Sequence, residues 1–235
     1  MQMLSDLELI ERHVNALFTH NGGGRLCRVN EPDGAESPRF FLGRTAEGNI
    51  FRTRFDLPDA LTKQLKAACT DEPEAGDPRR KPAQFTRYLD LLETQSPIQK
   101  VWMGPAYAFP ETFAQVSRDT VSVTSENIDI LRGGFEDWFP DVPIQQPFSA
   151  FLRDGQAVSI CSSVRITPKA HEAGVETLNT HRGNGYAADV TAGWANAVRK
   201  LGCTPLYSTS WKNVASQRVA EKLGLQLFGV TFHVR

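Results

Sequence analysis

Thr177-Leu178-Asn179-Thr180-His181-Arg182-Gly183-Asn184-Gly185-Tyr186-Ala187 lies between two apolar patterns of different period. Before it runs Ala173-Gly174-Val175-Glu176-Thr177-Leu178, apolar and rich in β-branched residues. After it, Val190, Trp194, Ala197, Val198 and Leu201 recur at helical spacing. The expected local structure is therefore strand, short glycine-containing turn, helix. The first N–H groups of such a helix have no intrahelical acceptor, and they point, with the positive end of the helix dipole, at one spot. A phosphate or diphosphate suits that spot. Gly183 and Gly185 let the backbone come close to the anion, and Arg182 can add a full positive charge. The same residues also fit an ordinary strand-to-helix turn. They are neither the dinucleotide fingerprint, which needs a third glycine, nor a Walker loop, which needs Gly-Lys-Ser/Thr.

Outward from this stretch, the C-terminal half has a regular order of elements. Val121–Thr124 is strand-like and Asn127–Phe135 is a weak helix. Pro147–Leu152 and Gln156–Ile166 form a hairpin about Asp154-Gly155, a strong turn signal. His171–Leu178 is the strand that enters the glycine turn. Pro205–Ser210 is a further strand, Val214–Leu223 is a helix ended by Gly224, and Gln226–Val234 is a final strand. The N-terminal part is less regular. Leu7, Ile10, Val14, Leu17 and Phe18 share a helical face that Asn21-Gly22-Gly23-Gly24 stops. Arg39–Gly43 and Asn49–Phe55 are short strands about Glu47-Gly48. Pro58 opens a helix with Leu61, Leu65, Ala68 and Cys69 inward, and Phe85, Tyr88, Leu89 and Leu92 mark another. Pro97 to Pro110 is aromatic and broken by prolines, with Trp102, Tyr107 and Phe109 expected to pack the two halves together or to line a substrate cleft. The expected division is an α+β N-terminal region over 1–120 and a core over 121–235. The fold class is α/β (α+β): a mixed, mostly antiparallel central sheet with helices on both faces.

Arg182-x-x-Gly185-x-Ala187 resembles the Gln/Arg-x-x-Gly-x-Gly/Ala motif of the GNAT superfamily of acyl-CoA-dependent N-acyltransferases. Asn213-Val214-Ala215-Ser216 followed by Lys222-Leu223-Gly224-Leu225 resembles the family's Asn-x-x-Ser…Lys-Leu-Gly-Phe signature, with Leu225 in place of the usual aromatic. The resemblance covers roughly the last half of the chain. It implies acetyl-CoA as co-substrate, no metal, and transfer of an acetyl or acyl group to a primary amine of a small molecule or peptide. The residues it implies at the cofactor are Thr177 and Leu178 beside the pantetheine arm, Arg182, Gly183, Asn184, Gly185, Tyr186 and Ala187 at the diphosphate, and Asn213 and Ser216 at the far side of the cleft. Residues 1–120 lack the motif and are read either as a degenerate GNAT-like half or as a substrate module.

The same resemblance implies the proton chemistry. The strand before the motif is expected to splay from the strand after the helix near Val175–Leu178, with Gly174 making a bulge cheap, so that a backbone N–H meets the thioester oxygen. Glu172 is the expected general base, ten positions before Arg182, and Glu176 the runner-up. A bulge between the two would set them on opposite faces. His171 and His181 are expected in surface or strand-end roles. Family members often carry a tyrosine in the last helix as general acid. Ala220 stands there in this chain, which leaves Ser216 as the substitute and Tyr207 as a second candidate. Capping of the helix is the plainer role for Asn213 and Ser216. A non-catalytic acyl-CoA-binding or sensing module is the alternative function.

Composition narrows the classes. The chain has 235 residues and a formal net charge of −1, so neither a broad nucleic-acid surface nor an anionic-membrane surface is expected. Cys27, Cys69, Cys161 and Cys203 lack metal-ligand or redox spacing and are expected as reduced thiols of a cytoplasmic protein. Asp6, Glu8, Glu11 and Arg12 in the first helix argue against a signal peptide, and no apolar run is long enough to span a bilayer. A homodimer is left open.

Overall fold

The structure, a computed structural model, describes residues 4–32, 34–112 and 117–235. They group into two compact units that interleave along the chain. One comprises Met1–Tyr107, Ser208–Asn213 and Leu227–Arg235; the other comprises Ala108–Tyr207 and Val214–Gln226.

The first unit begins with α1 (Asp6–Leu17), which Ser5 and Glu8 start with a reciprocal capping box: the Glu8 N–H donates to Ser5 Oγ at 3.2 Å and the Ser5 N–H to Glu8 Oε2 at 2.9 Å. Two short antiparallel strands follow, β1 (Phe18–His20) and β2 (Leu26–Val29). Next come the hairpin strands β3 (Phe40–Thr45) and β4 (Gly48–Thr53), then α2 (Asp59–Thr70), α3 (Phe85–Glu93) and β5 (Val101–Ala108). The segment expected as a proline-broken aromatic stretch is thus a strand. Its pattern is hidden because Gly104 and Pro105 interrupt it, and Gly104 has a tertiary reason: a Cβ there would lie 1.9 Å from the Thr209 carbonyl oxygen. Phe40, Leu42, Leu61, Leu65, Tyr88, Leu92 and Phe232 belong to one buried core cluster of this unit, and Val14, Leu17, Phe18, Leu26, Val29 and Phe41 form another.

The second unit carries β6 (Thr120–Ser122), β7 (Phe148–Arg153), β8 (Gln156–Ile166), β9 (Ala170–Thr177), α4 (Tyr186–Lys200), β10 (Thr204–Ser208) and α5 (Val214–Lys222). Its strands run in the order β10-β9-β8-β7-β6, and only the β9–β10 pair is parallel. Asp154 (φ 50°) and Gly155 (φ 80°) make the two-residue hairpin turn between β7 and β8, and positive φ at both positions is what such a turn demands. The expected helix over Asn127–Phe135 is not present. Two 3-10 turns, Ile128–Leu131 and Glu136–Trp138, flank Gly133 (φ 94°) and Gly134 (φ 149°), and the Glu136 carboxylate accepts from both glycine N–H groups at 2.6 and 2.9 Å. Glycines in that conformation end a helix. α4 packs on β7, β8 and β9 through Ala188, Val190, Ala192, Trp194, Ala195 and Val198.

The last strand, β11 (Gln226–Val234), lies in the sheet of the first unit, whose order is β4-β3-β11-β5. It pairs antiparallel with β3 from Val230↔Arg44 to Val234↔Phe40. A fragment starting at residue 121 would keep β11 and lose β3, baring the buried Val230, Phe232 and Val234 on a strand with an unpaired edge. Such a fragment is expected to aggregate on expression; a soluble fragment with a cooperative melting transition would contradict this.

Candidate functional site

The site grows from the place where β9 and β10 stop pairing. Their parallel register runs through Thr204↔Ala170, Pro205↔His171 and Leu206↔Glu172 and ends there, although β9 continues to Thr177 and β10 to Ser208. On β9, even-numbered residues turn their peptide groups to β8, as the Leu178 N–H donating to the Val158 oxygen at 3.0 Å shows. Odd-numbered residues turn theirs to β10, as the Thr204 N–H donating to the Lys169 oxygen at 2.9 Å shows. The N–H groups of Val175 and Thr177 therefore lie on the edge past the end of the ladder. That edge coincides with the segment expected to splay.

The cause differs from expectation. β9 is regular, and the bulge is on β8, where Val164 is the extra residue between Ser163↔Ala173 and Arg165↔Glu172. A Cβ on Gly174 would stand 2.1 Å from Val164 Cγ1, so Gly174 makes room for its neighbour's bulge instead of bulging itself. The regularity of β9 fixes the carboxylates. Along an unbulged strand Glu172 and Glu176 share a face. His171, Ala173, Val175 and Thr177 take the other face, under α4: the Trp194 Nε1–H donates to Ser163 Oγ at 3.0 Å, and Ser163 Oγ is 2.9 Å from His171 Nδ1. His171 is buried there and not at a surface, and burial pushes its pKa down, which favours the neutral ring.

Glu172 is 2% exposed, and the register sets Arg165 opposite it across the strand pair. Glu176 is exposed, and its Oε2 accepts from Trp138 Nε1 at 2.8 Å. On β10, Tyr207 follows the last paired residue. Its buried hydroxyl lies 2.5 Å from Ser216 Oγ and 3.3 Å from the Ser216 carbonyl oxygen, so the two hydroxyl candidates for the acid come together in one contact. Ala220, one turn further along α5, is buried and has no hydroxyl to offer.

Between β9 and α4 the chain makes a 3-10 turn, Asn179–His181, with His181 Nδ1 2.9 Å from Thr180 Oγ1. Then Gly183 (φ 83°) and Gly185 (φ 87°) adopt the left-handed conformation, and Gly185 stands at the N-cap of α4 with no side chain to cap it. The turn before them is closed: His181 N–H donates to the Leu178 oxygen and Arg182 N–H to the Asn179 oxygen. The helix after them is closed from Ala188 onward, whose N–H donates to the Gly185 oxygen at 3.0 Å. Among the described residues, no backbone oxygen accepts from Gly183, Asn184, Gly185, Tyr186 or Ala187, so these five consecutive N–H groups are open to an anion.

The side chains of this loop mostly serve the fold. Asn184 Nδ2 donates to the His181 oxygen at 3.1 Å. Tyr186 stacks on Phe151 at 4.4 Å and takes a hydrogen bond from Arg153 Nε at 3.1 Å. Arg182 turns back, its Nε donating to the Thr177 oxygen at 3.3 Å. Leu178 spends its N–H on Val158 and packs its side chain with Leu131, Phe135 and Phe148. Thr177 Oγ1 is 2.7 Å from Ser159 Oγ. Asn213 groups with the first unit, and its N–H donates to the Ser210 oxygen at 3.0 Å.

One cation at the loop has no signal in the loop's own sequence. Lys222, the last residue of α5, brings its Nζ to 2.0 Å from where a Gly185 Cβ would be. Only the packing of α5 on α4 makes that neighbourhood, so a motif read along the chain cannot show it. Among the described residues, no group of His, Cys, Asp and Glu is placed to hold a metal ion, and no helix is long and apolar enough to cross a membrane.

Residues 149–229 match the family model of the GNAT acetyltransferases. No curated protein matches the chain. Among solved structures, the chain is similar to a GCN5-related N-acetyltransferase-like protein from Streptococcus suis, at 18% identity over 97% of this chain and 100% of that one, with a TM-score of 0.49. It is similar to an acetyltransferase of the GNAT family from Colwellia psychrerythraea, at 12% identity over 79% and 76%, with a TM-score of 0.45. A GNAT-family protein from Novosphingobium aromaticivorans matches at 17% identity and a TM-score of 0.44, over 58% of this chain and 65% of that one, just under two thirds of its length. At these scores the likenesses carry no statement about chemistry.

Proposed function

We propose, from the premise that the C-terminal half of the chain belongs to the GNAT superfamily by the match over residues 149–229, that the protein transfers an acyl group from acetyl-CoA to a primary amine of a small molecule or peptide by direct attack. The observation that carries this reading is that a strand edge past its last ladder pair leads directly into five open N–H groups at the start of α4. The two fit the parts of one ligand: an arm that takes hydrogen bonds from an unpaired strand, and a diphosphate held by amides and a helix dipole.

When bound, acetyl-CoA supplies an activated thioester, whose carbon–sulfur bond breaks as the new carbon–nitrogen bond forms. The chain's part is to position and to move protons. The N–H groups of Val175 and Thr177 are the donors on the open edge for negative charge developing on the carbonyl oxygen. Glu172 takes the proton that the amine loses on attack. The Tyr207–Ser216 hydroxyl pair holds the proton for the departing sulfur. Glu176, on the face of β9 that Glu172 occupies, offers a carboxylate to an acceptor that carries a further positive charge.

The test is calorimetry with acetyl-CoA followed by a thiol-release assay across a panel of primary amines, including diamines and basic peptides. The expected result is saturable binding and release of free CoA with at least one amine class. Binding without release on any amine would assign the chain to acyl-CoA binding alone, and absence of binding would overturn the reading altogether.

A further inference from the structure

Resting on that reading of the α4 loop, we infer that Lys222, and not Arg182 of the motif, supplies the side-chain charge that holds the diphosphate of CoA. The geometry of the two cations separates them. Arg182 is already engaged on β9, its Nε donating to the Thr177 oxygen at 3.3 Å. Lys222 arrives end-on at the N-cap of α4: an added Cβ on Gly185 would meet Nζ at 2.0 Å, Cε at 3.4 Å and Cδ at 4.0 Å. The ammonium is thus the nearest part of the side chain, beside the middle one of the five open N–H groups.

The electrostatics of the site point the same way. A helix N-terminus carries about half a positive charge and repels a cation placed against it. An ammonium is therefore unfavourable there unless an anion stands between them. The acidic residue in the first turn of α4 is Asp189, and no ion pair joins it or any other carboxylate to Lys222 among the described residues. A diphosphate bound to the amides of Gly183–Ala187 would satisfy the helix dipole and the ammonium together. The sequence distance between Gly185 and Lys222 means that α5 must be in place for the site to carry its charge. The reading also gives Gly185 a second duty, since any side chain there would occupy the space of the lysine's ammonium.

The experiment is isothermal calorimetry of the full chain with CoA and with 3′-dephospho-CoA, using wild type, Lys222→Met, Lys222→Arg and Arg182→Met. Thermal melts are recorded first; Lys222 is exposed at the end of a helix, so the fold should survive. The expected result is that Lys222→Met weakens both ligands by about tenfold or more and flattens the salt dependence of binding. Lys222→Arg should restore most of the affinity, and Arg182→Met should weaken binding less than Lys222→Met. If Lys222→Met binds CoA as tightly as wild type, the inference fails while the acyltransferase reading stands. If its loss is confined to CoA and absent with 3′-dephospho-CoA, the lysine serves the 3′-phosphate and the inference fails. If wild type binds neither ligand, the acyl-CoA reading fails, and the inference with it.

Discussion

Glu172→Gln is expected to leave acetyl-CoA affinity unchanged and to lower turnover on a true amine acceptor by about two to four orders of magnitude, the size of a general-base contribution. Glu172 is the buried carboxylate on β9 at the last ladder pair with β10, on the face away from α4. Its side chain leaves the strand just where the edge opens, and a base must stand within hydrogen-bond reach of the proton it removes. The strand register sets Arg165 opposite Glu172, and an opposite charge nearby is what burial of a carboxylate requires. The glutamine variant is therefore expected to lose stability as well as activity, and a second variant separates the two. Glu172→Asp keeps the charge opposite Arg165 but withdraws the carboxylate by one methylene. It should melt close to wild type while still losing most of its turnover. A plain structural ion pair would give the reverse: an active Glu172→Asp enzyme, and a Glu172→Gln enzyme whose turnover per folded molecule is normal. Glu176→Gln should chiefly raise KM for cationic acceptors, and Ser216→Ala should slow turnover less than Glu172→Gln, because a thiolate can leave without full protonation.

The distribution of what was legible follows from which interactions act along the chain. The α4 loop is written in local rules: a period-two run, two glycines where positive φ is needed, and a period-3.6 run. The Asp154-Gly155 hairpin is equally local, because its dihedral demands are met by those two residues alone. β5 was hidden because Gly104 answers to the backbone at Thr209, more than one hundred residues on in the chain. Gly174 misled in the same way. A glycine in a strand signals either a bulge or a close neighbour, and which one holds depends on Val164 in the facing strand. That single ambiguity decided whether Glu172 and Glu176 share a face. Lys222 was legible only as part of a signature, since its place beside Gly185 is made by two helices packing and by no feature of either one's sequence.

The strongest effect on binding is expected from Gly185→Val, a loss of acetyl-CoA affinity of at least about tenfold, or roughly 1.4 kcal/mol. Three consequences of the substitution act together. Gly185 has φ 87°, where a β-branched residue is strained, so the loop would shift to relieve it. The new side chain would displace the Lys222 ammonium from its position 2.0 Å from the added Cβ. It would also hold the anion off the amides on either side of Gly185. Gly183 provides the control, because it has nearly the same φ, 83°, with nothing within 4 Å of an added Cβ. Gly183→Ala thus reports strain and crowding of the anion without crowding of Lys222, and Gly185→Ala reports all three. A double-mutant cycle between Gly185→Ala and Lys222→Met then isolates the crowding: if the alanine acts by pushing the ammonium away, its effect should largely vanish once the lysine is gone. Circular dichroism melts accompany each titration, with a cost to stability of about 1–2 kcal/mol expected at either glycine. A folded Gly185→Val protein that binds acetyl-CoA like wild type would show that no anion approaches this backbone, and the assignment of the α4 loop would have to be abandoned.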